Sequence, residues 1–121
     1  MTKLRLFLER QRLKGKVLTY QELAIAIAMP PPHRIHRLTL MLEDLVREDN
    51  EAGKPLLAAL VVSRGHERIP GRGFFQLLKE LGRYEGADRG EEAIIKHKAE
   101  LHELLASDKE VSGPVKAGTG P

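Results

Sequence analysis

The sequence predicts a mainly α-helical chain with one small β element. Three observations lead there. Several stretches place apolar residues three and four positions apart, the helical period. One run, residues 56–62 (LLAALVV), is continuously apolar and ends in two valines, as a buried strand does. Proline and glycine cut the chain between these pieces at Pro30-Pro31-Pro32, at Gly65 and at Pro70-Gly71-Arg72-Gly73. The chain has 121 residues and no cysteine, enough for one core and its tails, with no disulfide framework and no thiolate chemistry.

Taken in order, residues 2–13 form a helix with Leu4, Phe7, Leu8 and Leu13 on its apolar side, Thr2 as its cap and Gly15 just past its end. Residues 17–20 are β-branched and aromatic and read as extended. Thr19 caps the next helix, and Glu22, three residues on, completes a capping box. Leu23, Ala24, Ile27 and Ala28 follow at helical spacing until the triple proline stops the helix. Residues 33–50 are the longest periodic segment. Ile35, Leu38, Leu42, Leu45 and Val46 share one face; His33, His36, Arg37, Leu40, Asp44 and Arg47 share the other. This helix ends in Glu48-Asp49, against its own dipole. Residues 56–62 then form the strand, and the turn 65–68 returns through Ile69 as a hairpin. Residues 74–81 make a helix closed by Gly82, 84–90 a linker, and 91–106 a final helix with Ile94, Leu101, Leu104 and Leu105 along one side. Residues 107–121 are rich in Gly, Ser, Lys and Pro and are expected to be disordered. The resulting division is a domain over 1–86, a linker and C-terminal helix over 87–106, and a tail over 107–121.

Helix, turn, helix, strand, hairpin and helix is the order of a winged helix-turn-helix, which places its second helix in a DNA groove. Charge agrees with that order. Residues 1–40 carry net +6, residues 41–53 net −4, residues 54–83 net +4 and residues 84–121 net −3. The basic blocks therefore fall in the opening segment and around the Gly-rich turn, where they either converge on an anion or form a solvated surface of mixed sign. The start of the long helix offers His33, Arg34 and Arg37, with His36 beside them. Arginine forks onto guanine or holds phosphate. Arg68 and Arg72 flank the Pro-Gly-Arg-Gly turn and are the phosphate candidates there; the same turn can also be no more than a tight connection. The histidine spacings, His33/His36 and His97/His102, lack a metal-binding pattern, and no nucleophile, acid–base pair or cofactor fingerprint stands out.

The opening Gly15-Lys16-Val17-Leu18-Thr19-Tyr20-Gln21-Glu22-Leu23-Ala24, the proline turn, a helix with an Arg, and the glycine turn followed by Gln76-Leu77-Leu78 and Glu85-Gly86 resemble the C-terminal, DNA-binding part of alkylguanine-DNA alkyltransferases and alkyltransferase-like proteins. The resemblance covers a little over half of the chain. It implies a winged-helix scaffold, Tyr20 as a phosphate contact and Arg37 as the arginine entering the groove. The family's reactive cysteine falls at Ala58, so alkyl transfer is excluded. The expected function is a non-enzymatic nucleic-acid-binding module, duplex DNA before RNA, with Tyr20, His33, Arg34, Arg37, Arg68 and Arg72 as contacts and with no metal or cofactor. The alternative is an adaptor that docks a partner protein on its acidic strip 43–51 or on an apolar patch including Leu40 and Phe75. A third reading is a regulator or enzyme for a small phosphate ligand. No segment reads as a membrane span or a secretory signal, and a cytoplasmic location is expected.

Overall fold

The computed structural model describes residues 3–65 and 67–112. The described residues are mainly helical: α1 (Lys3–Lys14), α2 (Tyr20–Ala26), α3 (Arg34–Glu51), α4 (Arg72–Glu80) and α5 (Glu91–Ser112). Two short strands, β1 (Leu18–Thr19) and β2 (Val61–Val62), pair in parallel with Leu18 opposite Val61 and Thr19 opposite Val62. The tail predicted over 107–121 is helical to Ser112, and the expectation for 113–121 lies outside the described residues.

The helix starts and stops are local chemistry. Thr19 caps α2 by accepting from the Glu22 N–H at 3.1 Å, while the Glu22 carboxylate accepts from the Thr19 N–H at 2.9 Å. That is the capping box read from the sequence. Helix α1 ends when Gly15 turns left-handed at φ +67°, which lets the Lys16 N–H reach back to the Gln11 carbonyl at 3.0 Å. The same closing bond ends α3 (Lys54 to Asp49) and α4 (Arg83 to Leu78). It ends α2 as well (Met29 to Ala24), but there the left-handed residue is Ala28, at φ +56°.

The core is built around a segment that departs from the prediction. Residues 56–62 are buried throughout, yet Leu57–Leu60 form a 3-10 turn, and only Val61–Val62 are extended. A continuous apolar run reports burial on all sides and does not distinguish an extended from a coiled backbone. Here α1, α3 and α5 all pack on the turn, and Asp49 Oδ2 of α3 accepts from its first N–H, that of Leu57, at 3.2 Å. The predicted hairpin also differs. Residues 63–71 hold no strand among the described residues and are closed by Ser63 N–H to Ile69 carbonyl at 2.8 Å. Left-handed Gly65 and Arg68, and Pro70 with no N–H to give, prevent a ladder.

Three buried polar groups tie the helices to this centre. Asp49, 1% exposed, accepts from Arg5 Nη1 of α1 at 2.9 Å, and neighbouring Glu48 accepts from Arg5 Nη2 at 2.8 Å. The acidic end of α3 thus finds its cation on another helix rather than in its own sequence. Glu100 of α5 accepts from Arg83 Nη2 with both carboxylate oxygens, at 3.0 and 3.2 Å, and pairs with Lys96 at 2.9 Å. Arg83 Nη1 also donates to Asn50 Oδ1. His97 Nε2 donates to the Ala59 carbonyl at 2.8 Å. Burial lowers the His97 pKa, against the opposing influence of that bond and of the Glu100 charge. No helix among the described residues is long and apolar enough to cross a membrane.

Candidate nucleic-acid interface

The start of α3 is shaped by the prolines before it. The chain leaves α2 through Pro30–Pro32, and His33 adopts a left-handed conformation (φ +56°) as the residue before the helix, with no side-chain cap. This aims Arg34, Ile35 and His36 outward. With His33 they face Gln21 and Ile25 of α2 across a groove of about 370 Å³. Ile25 is 67% exposed and Ile35 38% exposed, so the groove has apolar walls beside its basic groups. Ile35 belongs to this rim rather than to the core stripe of Leu38, Leu42, Leu45 and Val46, all buried.

A second cleft, of about 400 Å³, lies where the turn 63–71 meets the start of α4 and the loop before α5. Arg64, Arg68, Arg72 and Arg89 line it, with Glu67 and Asp88. The two depressions are neighbours. Gln21 lines the first; its Oε1 lies 3.5 Å from Nη1 of Arg64, which lines the second. One side-chain pair therefore separates His33, Arg34 and His36 from Arg64, Arg68, Arg72 and Arg89.

Two of the predicted contact residues have structural work. Tyr20 OH accepts from the Gly71 N–H at 2.9 Å and so fastens the start of α2 to the turn before α4. Its pKa is raised, chiefly by burial and also by the Glu43 charge, while the Gly71 bond acts the other way. Arg37 is half-buried, and its Nη2 donates to the Pro30 carbonyl, bracing the proline turn from within α3. His33, Arg34, Arg68 and Arg72 lie along the two clefts; Tyr20 and Arg37 hold the walls that carry them. Arg64, Arg89 and Gln21 were not singled out by sequence. Arg89 sits in a stretch that reads as a polar, glycine-bearing linker, and Arg64 in a turn with no motif.

A separate small space of about 20 Å³ is lined in part by Tyr20, Thr39, Glu43, Ala58 and Phe74. It has room for about one water. Ala58, at the position of the alkyltransferase cysteine in the resemblance, is 3% exposed and presents only a methyl group. The surfaces named for an adaptor are partly internal: Phe75 is 0% exposed, and Asp49 is buried on Arg5. Phe75 packs edge-on to Phe74 and against Tyr84, so it is absent from the patch expected with Leu40. Comparison with protein-family models, with curated proteins and with solved structures gave no match.

Proposed function

We propose that the chain is a non-enzymatic module that binds duplex nucleic acid, DNA in preference to RNA, on a winged-helix-type scaffold. The observation that carries this reading is the Gln21–Arg64 contact, because it makes the basic start of α3 and the arginine-lined cleft one continuous surface. A polyanion spanning both meets cations along its length, which a small ligand in either cleft does not. The start of α3 is the groove-facing element, since the first turns of a recognition helix reach base edges. Arg34 is its donor, and Ile25 and Ile35 supply apolar contact of the kind a thymine methyl takes. The A-form major groove is too deep and narrow to admit such a helix, which favours DNA.

Fluorescence anisotropy with a labelled DNA duplex, repeated across salt concentrations, tests the reading. Three or four phosphates held by arginine give a slope of log Kobs against log salt of about −2.7 to −3.6. Arg34→Ala with Arg68→Ala is expected to flatten it, by about 0.9 for each phosphate that is no longer held. An RNA duplex of the same sequence is expected to bind more weakly. Absence of salt-dependent binding at about 50 mM salt, where phosphate contacts are strongest in the usual range, overturns the reading.

A further inference from the structure

The cleft beside α4 carries a feature that an ordinary solvated surface does not require. Its four guanidinium groups come from three separate segments: Arg64 and Arg68 from the turn, Arg72 from the start of α4, and Arg89 from the loop before α5. Residues 72, 76 and 79 recur at helical spacing, so Arg72, Gln76 and Lys79 form the outward face of α4. Asp88 is set against that face. Its Oδ2 accepts from Gln76 Nε2 at 3.1 Å. Its carboxyl is held below the usual range first by that bond and then by the charges of Arg72, Lys79 and Arg89. Yet among the described residues Asp88 is in no direct ion pair with any of them. A carboxylate is thus held within the field of three cations, by a neutral amide, at the edge of an open cleft.

We infer that this cleft is a phosphodiester-binding site for the backbone of the bound duplex, with Arg64 and Arg89 as contacts beside Arg68 and Arg72 and with Asp88 as its resident counter-charge. The inference rests on the nucleic-acid reading and adds to it the path of the strand and a residue that weakens binding. Arginine forks suit phosphate oxygens in the plane of the guanidinium. Arg64 is the hinge between the two depressions: its partner in the free protein is the neutral Gln21 oxygen at 3.5 Å, a weak contact that a phosphate replaces readily. A backbone lying along the start of α3 therefore continues over Arg64 into the cleft. There it meets Arg72 and Arg89 in competition with Asp88, and the Asp88 charge lowers the affinity of the site.

The test uses the full chain and the same DNA duplex. Arg64→Gln with Arg89→Gln is expected to reduce the magnitude of the salt slope by about 1.8, two phosphates at about 0.9 each. Asp88→Asn, which removes the charge and keeps an oxygen for Gln76, is expected to tighten binding about two- to five-fold at low salt, the scale of one exposed charge interaction. The backbone amide shifts of Gly71, Arg72 and Arg89 in the unmodified protein, followed by NMR as duplex is added, give a readout that does not depend on any variant folding. They are expected to move at the same duplex concentrations as those of Arg34 and Ile35. If the unmodified protein binds the duplex with a clear salt slope, but the double variant keeps that slope and the cleft amides stay still, this inference fails while the nucleic-acid reading stands. Tighter binding by neither Asp88→Asn nor Asp88→Ala removes the counter-charge role. If no duplex binds, and inorganic phosphate alone shifts the cleft amides, the site belongs to a small phosphate ligand and both readings are overturned.

Discussion

Replacing Asp49 by alanine cuts two ties at once. Its Oδ2 accepts from the Leu57 N–H at 3.2 Å, and its Oδ1 accepts from Arg5 at 2.9 Å, with Asp49 itself 1% exposed. The orphaned Leu57 N–H sits at a fully buried residue, where an unsatisfied donor costs about 1–3 kcal/mol. Breaking a buried ion pair costs about 3–5 kcal/mol when a charge is left uncompensated. Here the figure is smaller, about 1–2 kcal/mol, because Arg5 keeps Glu48 at 2.8 Å and some contact with water. The sum is about 2–5 kcal/mol, a large share of the stability of a single domain. Asp49→Asn keeps an oxygen for the Leu57 N–H and removes only the charge, so it is expected to cost about 1–2 kcal/mol. With no tryptophan in the chain, urea unfolding followed by far-ultraviolet circular dichroism is the assay. A cycle with Arg5→Ala is expected to give a coupling of about 1 kcal/mol or more. An Asp49→Ala variant within about 1 kcal/mol of the parent, or an asparagine variant worse than the alanine one, refutes the idea that this carboxylate joins α1, α3 and the 3-10 turn.

Other outcomes follow from single residues. Ala28→Gly is expected to stabilise by about 0.5–1 kcal/mol, because relief of a left-handed alanine, about 1–2 kcal/mol, exceeds the added flexibility of glycine in the unfolded chain; a lower urea midpoint refutes it. Tyr20→Phe is expected to cost about 1 kcal/mol by leaving the Gly71 N–H without its acceptor, with little change in the salt slope of DNA binding; a flattened slope restores Tyr20 as a phosphate contact. The lowered pKa of His97 means that the folded protein binds fewer protons than the unfolded chain between the folded value and the ordinary one near 6.5. Its contribution to stability is therefore complete above about pH 6.5 and is lost as pH falls through the folded value. Urea midpoints at pH 7.5 and 5.5 are expected to differ less in His97→Gln than in the parent, and an equal difference sinks the assignment.

What sequence revealed and what it concealed divide along physical lines. The Thr19–Glu22 box and the four buried apolar positions of α3 are legible because cap and period are local, three or four residues apart. The shape of 56–62 was not. Its burial is written in its composition, but its 3-10 turn depends on an acceptor eight residues away, Asp49, and on three helices closing over it. The buried stripe of α5 was concealed differently. It runs Ala93, His97, Glu100, Leu104 at helical spacing, and two of the four are polar. Apolar periodicity therefore selected Ile94 and Leu101, which are only partly buried, and Leu105, also half-exposed. Only the partners explain the choice: the Ala59 carbonyl for His97, and Arg83 with Lys96 for Glu100. At the candidate interface, sequence located the basic start of α3 and the glycine turn. It could not separate Arg34, which lies open in the groove, from Arg37, which turns back to Pro30. Nothing in their order distinguishes them; the direction of the helix after the proline turn does.

The distribution of arginine gives the proposed face its strongest physical argument. Arg5, Arg12 and Arg83 are drawn inward or along their helices by Asp49, Glu9 and Glu100, and Arg47 pairs with Asp44 on the far part of α3. These pairs hold the frame and leave little field outside it. Among the described residues, Arg34, Arg64, Arg68, Arg72 and Arg89 enter no ion pair, and they lie along two adjoining clefts. Like charges along two adjoining clefts repel one another, and among the described residues Asp88 and Glu67 are the carboxylates that line the arginine cleft. Such an arrangement raises the energy of the free protein and is relieved by a polyanion. The relief is larger for a ligand that spans both clefts than for one that fills either, since counterions are released at each phosphate held. A single phosphate would leave most of the repulsion in place. Length dependence is thus the expected signature of the proposed surface: affinity in the anisotropy assay is expected to climb with duplex length until the span from Arg34 to Arg89 is covered and then to level off, and affinity independent of length refutes the two-cleft path.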